Sequence, residues 1–268
     1  MDIRRFTSIR ALGLGLAVVA GVVGAGFSAM QGKAAAANEP RQPVLVELFT
    51  SEGCSSCPPA DALLAKLDAA QPIPGAQVIV LSEHVTYWDH QGWRDPYSLD
   101  SITQRQQQYA SRFGLDDVFT PQAVVDGAAQ VVGSDGHGLV QAVTHAAAAP
   151  KTSLNIQDAH WDNGSVHFAV RGDGSDSKVT LVAAVAEDSV QSSVARGENA
   201  GRSLHHVAVV RVMQEMGKGS EDGRALTLKL PAGSQSGSSS GPLRLVVFLA
   251  DRKNGHVLAV AEQRINRS

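Results

Sequence analysis

Residues 48–64 read LFTSEGCSSCPPADALL, and both cysteines of the 268-residue chain, Cys54 and Cys57, lie inside that stretch. The run before them, PVLVELFT (43–50), is apolar and β-prone. The run after them, PPADALLAKLDAA (58–70), is helical in pattern, with its prolines in the first turn, where a helix tolerates them. The cysteines therefore stand where a strand gives way to a helix. Orphan N–H groups and the helix dipole favour a thiolate there. The thiolate is the form that attacks a disulfide, and a second thiol one turn on can resolve the mixed disulfide that results. Cys54 is expected to be the nucleophile, the more exposed and more acidic thiol, and Cys57 the resolving one.

Two other uses of the pair compete with redox exchange. An inert or regulatory disulfide could lock the loop, although closing so short a loop restrains the unfolded chain little. A metal site would need further ligands, which His84, His90 or His137 could supply. The spacing of two residues, the strand-to-helix context and an oxidising compartment together favour redox exchange.

Working outward, AQVIVLSEHV (76–85) reads as a second buried strand and SLDSITQRQQQYASRFG (98–114) as a helix with Ile102, Tyr109 and Phe113 inward. QAVVDGAAQVVG (122–133) reads as a hairpin turned by Asp-Gly, and HGLVQAVTHAAAA (137–149) as a last helix, closed by Pro150. The order β-α-β-α-β-β-α predicts a mixed sheet with helices on its faces over residues 41–150.

After Lys151 the helical runs stop. Seven short segments follow, among them SVHFAVRG, KVTLVAAVAE, LHHVAVVRV and LRLVVFLA, separated by turn signals such as DNG and KNG. Seven strands predict an all-β sandwich over 151–268, docked on the first half because only PKT joins them. AGSQSGSSSG (232–241) reads as a surface loop within it.

The N-terminus stands apart. Basic MDIRRFTSIR, an uncharged apolar run and small residues before Asn38 read as a secretory signal over residues 1–37, cleaved near Ala35 to Ala37. The expected location is periplasmic or secreted, where disulfides persist. A formal net charge of −3 argues against a nucleic-acid partner, and 43% hydrophobic with 18% charged residues indicates a packed globular protein.

Three more groups complete the candidate site. Pro121, in FTPQAVVDG, follows Thr120 and stands just ahead of a predicted strand. Glu47 is the one acid in its apolar strand. A carboxylate there is costly without a task, so it is read as a proton acceptor for Cys57, with a raised pKa. HVTYWDHQGWRDPY (84–97) holds Tyr87, Trp88 and Trp93, read either as a small core under a loop or as a substrate-binding wall. ARGENAGRS (195–203) reads as a solvated loop or as a segment packed on the first half. His205 and His206 must point to opposite faces of their strand and read as surface and packing.

These segments also carry a resemblance. Residues from about Val44 to Ala149 resemble a thioredoxin-like domain, which places a cis-proline beside its cysteine pair; the resemblance implies that Pro121 is cis and that it touches substrate backbone together with Thr120. More narrowly, FTSEGCSSCPPAD, HVTYWDHQGWRDPY, FTPQAVVDG and GENAGRSLHHVAVVR resemble an uncharacterised secreted bacterial family, that of domain of unknown function 1223. The resemblance implies the fold and a redox-competent cysteine pair, not a substrate. The chain departs from thioredoxin in having Gly53 where a Trp would precede the first cysteine, in enclosing Ser55 and Ser56, and in the aromatic insertion between Val80 and Pro121. The expected function is thiol–disulfide exchange with protein thiols or disulfides of the envelope, with no cofactor and no metal. A non-catalytic binding protein with a structural disulfide, or a metallochaperone, is the alternative.

Overall fold

A computed structural model describes residues 41–173, 178–219, 223–231 and 241–267. Residues 1–37, read above as a secretory signal, and all but the last residue of the 232–241 loop lie outside these. The first half follows the expected order: β1 (Gln42–Thr50), α1 (Pro58–Ala70), β2 (Ala76–His84), α2 (Asp100–Phe113), β3 (Gln122–Val125), β4 (Ala129–Val132) and α3 (Gly136–Ala148). β1 is buried from Val44 onward and pairs in parallel with β2 and antiparallel with β3. A strand buried on both faces must be apolar throughout, which is what PVLVELFT supplies, Glu47 excepted. The β3–β4 hairpin turns at Asp126 and Gly127, both with positive φ. Gly127 has no substitute there, since a Cβ would stand 2.2 Å from the Gly255 carbonyl oxygen.

The second half supplies β5 (Leu154–Asp162), β6 (Ser165–Gly172), β7 (Val179–Ser193), β8 (Ser203–Lys218), β9 (Ala225–Lys229), β10 (Leu243–Asp251) and β11 (Val257–Ile265). Seven strands are where the turn signals put them, but they do not form a self-contained sandwich. Four of them extend the first sheet, giving the eight-stranded order β11-β10-β7-β8-β2-β1-β3-β4, and the other three form the small sheet β5-β6-β9. The joint is a parallel pairing of β2 with β8 at Ser82 and Val209.

The reason lies in β7 and β10. Leu181, Ala183 and Val185 of β7 and Leu243, Leu245, Val247 and Leu249 of β10 face the small sheet. Val182, Ala184 and Ala186 of β7 and Val246 and Phe248 of β10 face the core shared with the first half. Both strands are thus apolar on both faces and serve as the wall between two cores. A sandwich with a solvated outer face would have alternated. At one end of the face toward the shared core, the Arg105 guanidinium of α2 lies over the Phe248 ring, 5.3 Å from its centroid, and the Val257 N–H donates to the Asp126 carbonyl. On the same face of β10, four residues before Phe248, Arg244 donates two hydrogen bonds of 2.7 Å to Asp68 of α1. The described residues form one compact unit. Among them, no helix is long and apolar enough to cross a membrane.

Candidate functional site

Cys54 and Cys57 form a disulfide at the start of α1, with Cys57 as the N-cap residue and Pro58 and Pro59 following it. Both cysteines are fully buried, which corrects the expectation that Cys54 would be the exposed thiol. The second half packs on this segment. In the loop between β7 and β8, Asn199 is itself fully buried. Its side-chain amide donates to the Glu52 carbonyl (2.8 Å) and to the Cys54 carbonyl (2.9 Å). Glu198 beside it accepts from the Ser55 N–H at 3.1 Å. ARGENAGRS thus combines its two readings: Asn199 and Glu198 anchor it on the first half, while every residue of 195–203 except Asn199 is exposed.

The aromatic insertion forms the adjoining wall. Trp88 packs its Cβ close to Gly53 and donates from its indole to Thr120 Oγ1 at 2.7 Å. It thereby links the cysteine segment to the Thr120–Pro121 bond, which is cis. Pro121 is near the cysteine helix, since a Cβ on Gly133 would touch both Pro121 and Ala60 of α1. Trp93 donates to Glu52 Oε2 at 2.8 Å. Tyr87 lies further off. Its hydroxyl donates to Gln106 Oε1 (3.2 Å), and Gln106 in turn donates to the Phe119 carbonyl and to Gln122.

Glu47 is not where the sequence reading put it. Side chains alternate along a strand. Thr50 faces α1, donating to Asp61 Oδ1 at 2.9 Å, so Glu47 faces the opposite side of the sheet, beneath α2. There Arg105 donates to it at 2.5 Å and the Tyr109 hydroxyl at 2.6 Å. Burial pushes the Glu47 carboxyl up, but the Arg105 charge and these hydrogen bonds outweigh it and hold it below its ordinary value. The raised acid is its neighbour Glu83, pushed well above the ordinary value by burial and by the Glu47 charge, against the pull of Arg105. Glu47 is therefore a structural ion-pair partner on the wrong face to serve Cys57.

On the cysteine side of the sheet lies a group that sequence reasoning missed. Glu52, Asp61, His84, Asp95 and His206 are all buried. His84 Nδ1 is 2.7 Å from Asp95 Oδ2, and Asp95 also accepts from the Glu52 N–H at 2.8 Å. Burial pushes Asp95 up, but His84 and the backbone donors hold it below its ordinary value. His206 stands between Glu52 and Asp61, and its ring meets the His84 ring edge-on, with centroids 4.8 Å apart. The alternation in LHHVAVVRV did separate an exposed His205 from a buried His206. What it did not reveal was that the buried one meets carboxylates on either side of the cysteines. Among the described residues, no group of three His, Cys, Asp or Glu side chains could hold a metal ion.

Comparison with known proteins gives two findings. The model of a family described as a protein of unknown function (DUF1223) matches residues 45–250. A crystal structure of a protein from Agrobacterium tumefaciens is similar, with 27% sequence identity and a TM-score of 0.58, covering 85% of this chain and 96% of that one. No curated protein matches.

Proposed function

The chain belongs to the DUF1223 family, and we propose that it is an exported thiol–disulfide oxidoreductase whose first half is a thioredoxin-like domain. The observation that carries the reading is the Cys54–Cys57 disulfide closed over the first turn of α1. There the helix N-terminus stabilises the thiolate that reduction would release. In the exchange, a thiolate of a protein in the envelope attacks Cys54 Sγ. The Cys54–Cys57 bond breaks, and Cys57 leaves as a thiolate that takes a proton from water. The second thiolate of the same protein then attacks its own sulfur in the mixed disulfide and releases Cys54. The partner has lost two electrons and the pair has gained them, and the reverse sequence returns them. Pro121 and Thr120 would line the partner's backbone, with Trp88 and Trp93 as the wall. Tyr87 would stand behind that wall.

The buried state of both sulfurs favours a second reading, a structural disulfide in a binding protein. Equilibration with glutathione buffers separates the two. A reduction potential well below about −300 mV marks a structural disulfide, and a higher value marks an exchanging pair. A Cys57→Ser variant should then hold its partner as a stable mixed disulfide. Failure to form one even with a model protein that carries an accessible disulfide, the electrophile a lone Cys54 thiolate requires, would sink the exchange reading.

A further inference from the structure

His206 is fully enclosed, and neither ring nitrogen has a hydrogen-bond partner. Nε2 lies 3.6 Å from Glu52 Oε1 and Nδ1 lies 3.7 Å from Asp61 Oδ2, so the contacts are ionic. The carboxylates are fixed by others: Thr50 donates to Asp61, while Trp93 and Ser192 donate to Glu52. Burial opposes a charge on His206, but Asp61 and Glu52 outweigh it and its pKa is pushed up to about 10. The remaining groups around the ring are His84, already bound to Asp95, and Tyr97, whose ring centroid is 6.3 Å away and which carries Arg211 on its face.

The two carboxylates bracket the cysteines. Glu52 precedes Cys54 by two residues. Asp61 follows Cys57 by one helical turn, and its N–H donates to the Cys57 carbonyl at 3.1 Å. Side chains four apart on a helix share one face, with Cβ atoms about 5–6 Å apart. Asp61 thus stands between Cys57 and His206.

We propose that His206 is a positioning residue that makes the Cys54–Cys57 pair an oxidant, so that the partners it meets are reduced protein dithiols. The direction of electron flow rests on the exchange reading above, but the effect on the pair does not. Reduction breaks the S–S bond, adds two electrons, and leaves a thiolate in a site shielded from water. Two carboxylates beside it would oppose that charge, because buried charges interact strongly. The imidazolium between them offsets their field and keeps its proton in both redox states. It therefore stabilises the reduced form relative to the disulfide, which is what makes a pair oxidising.

The test is the equilibrium of wild-type protein, His206→Gln and Asp61→Asn with glutathione buffers, read by thiol alkylation. His206→Gln should shift the equilibrium about tenfold toward the disulfide, about 30 mV. The pH profile of Cys54 alkylation should also move up by about one unit. Asp61→Asn, which keeps an acceptor for Thr50, should shift both readings the other way. An unshifted equilibrium in His206→Gln, or a shift of both variants in the same direction, overturns the proposal. If His206→Gln does not fold, Asp61→Asn decides alone, and a shift toward the disulfide or none overturns it. A wild-type potential in the structural range with variants shifted as stated would remove the exchange reading and overturn the oxidant role with it, leaving only the effect of His206 on the equilibrium of the pair. An exchanging wild type with unshifted variants would do the reverse.

Discussion

Replacing Asn199 by Ala should open the way to the disulfide. The Asn199 amide makes two hydrogen bonds into the cysteine segment, to the Glu52 and Cys54 carbonyls. Each has a net worth of about 1 kcal/mol, so their loss weakens docking of the loop by about 2 kcal/mol. At 1.4 kcal/mol per factor of ten, the open form becomes about 30-fold more populated. Some of this is returned in the closed state, because the Cys54 carbonyl also accepts from the Cys57 N–H at 3.3 Å. The bond between Glu198 and Ser55 is exposed and remains, so Glu198→Gln serves as a control with a small effect. The assay is the rate at which dithiothreitol at fixed concentration releases thiols, followed by alkylation. If loop opening limits access, Asn199→Ala should be reduced about 30-fold faster than wild type, with the Glu198 variant close to wild type. Equal rates for Asn199→Ala and wild type, with a lowered melting temperature in the variant, would show that the loop stabilises the protein without gating the sulfurs.

Two further substitutions probe ion pairs that hold the sheet. Glu47→Gln should destabilise the protein by about 3 kcal/mol, because it leaves Arg105 without its main partner, and should leave the disulfide equilibrium unchanged because Glu47 lies on the other face. The Glu47 carboxyl is held below its ordinary value, so its contribution is present above the unfolded pKa and disappears as pH falls through the folded one; urea midpoints at neutral and acidic pH should therefore converge between variant and wild type. Arg244→Met should cost about 3 kcal/mol, seen as a lower urea midpoint, since it strands Asp68, which it meets at 2.7 Å, and Asp188, which it meets at 2.5 Å.

The first half was legible because its signals are local. A proline-started helix, an Asp-Gly hairpin and an apolar central strand each carry their own pattern, and the structure places each where that pattern lies. The partition of the second half was not read, although its sign was present. KVTLVAAVAE and LRLVVFLA run apolar without alternation, and such strands require cover on both faces. Taken at face value, those runs exclude a free-standing sandwich. The apolar run around Glu47 carries its burial but not the identity of its partner. Its carboxylate is buried, but parity along β1 turns it from Thr50, and the arginine that answers it lies 58 residues away. Asn199 and His206 were beyond reach for a similar reason. Their partners are 145 to 154 residues earlier in the chain, and no periodicity reports a contact of that span.

The placement of His206 shows why the two halves share a sheet. His206 reaches Glu52 and Asp61 because β8 lies beside β2, paired at Ser82 and Val209. That same pairing brings the His206 ring against His84, two residues on from Ser82. Strand parity makes the arrangement all-or-none, since a slip of one residue in β8 would turn His206 to the surface and bring His205 inward. The strand is held against such a slip by its long antiparallel pairing with β7, from Thr180 opposite Lys218 to Ser193 opposite Ser203. The same two strands carry, in the loop between them, the Asn199 that bonds to the cysteine segment. Residues 41–150 alone would keep Cys54, Cys57, Glu52 and Asp61 but would lose both the cation between the carboxylates and the Asn199 hydrogen bonds to the cysteine segment. The charge balance at the disulfide is thus a property of the eight-stranded sheet, and a second half tethered by a flexible linker could not have maintained it.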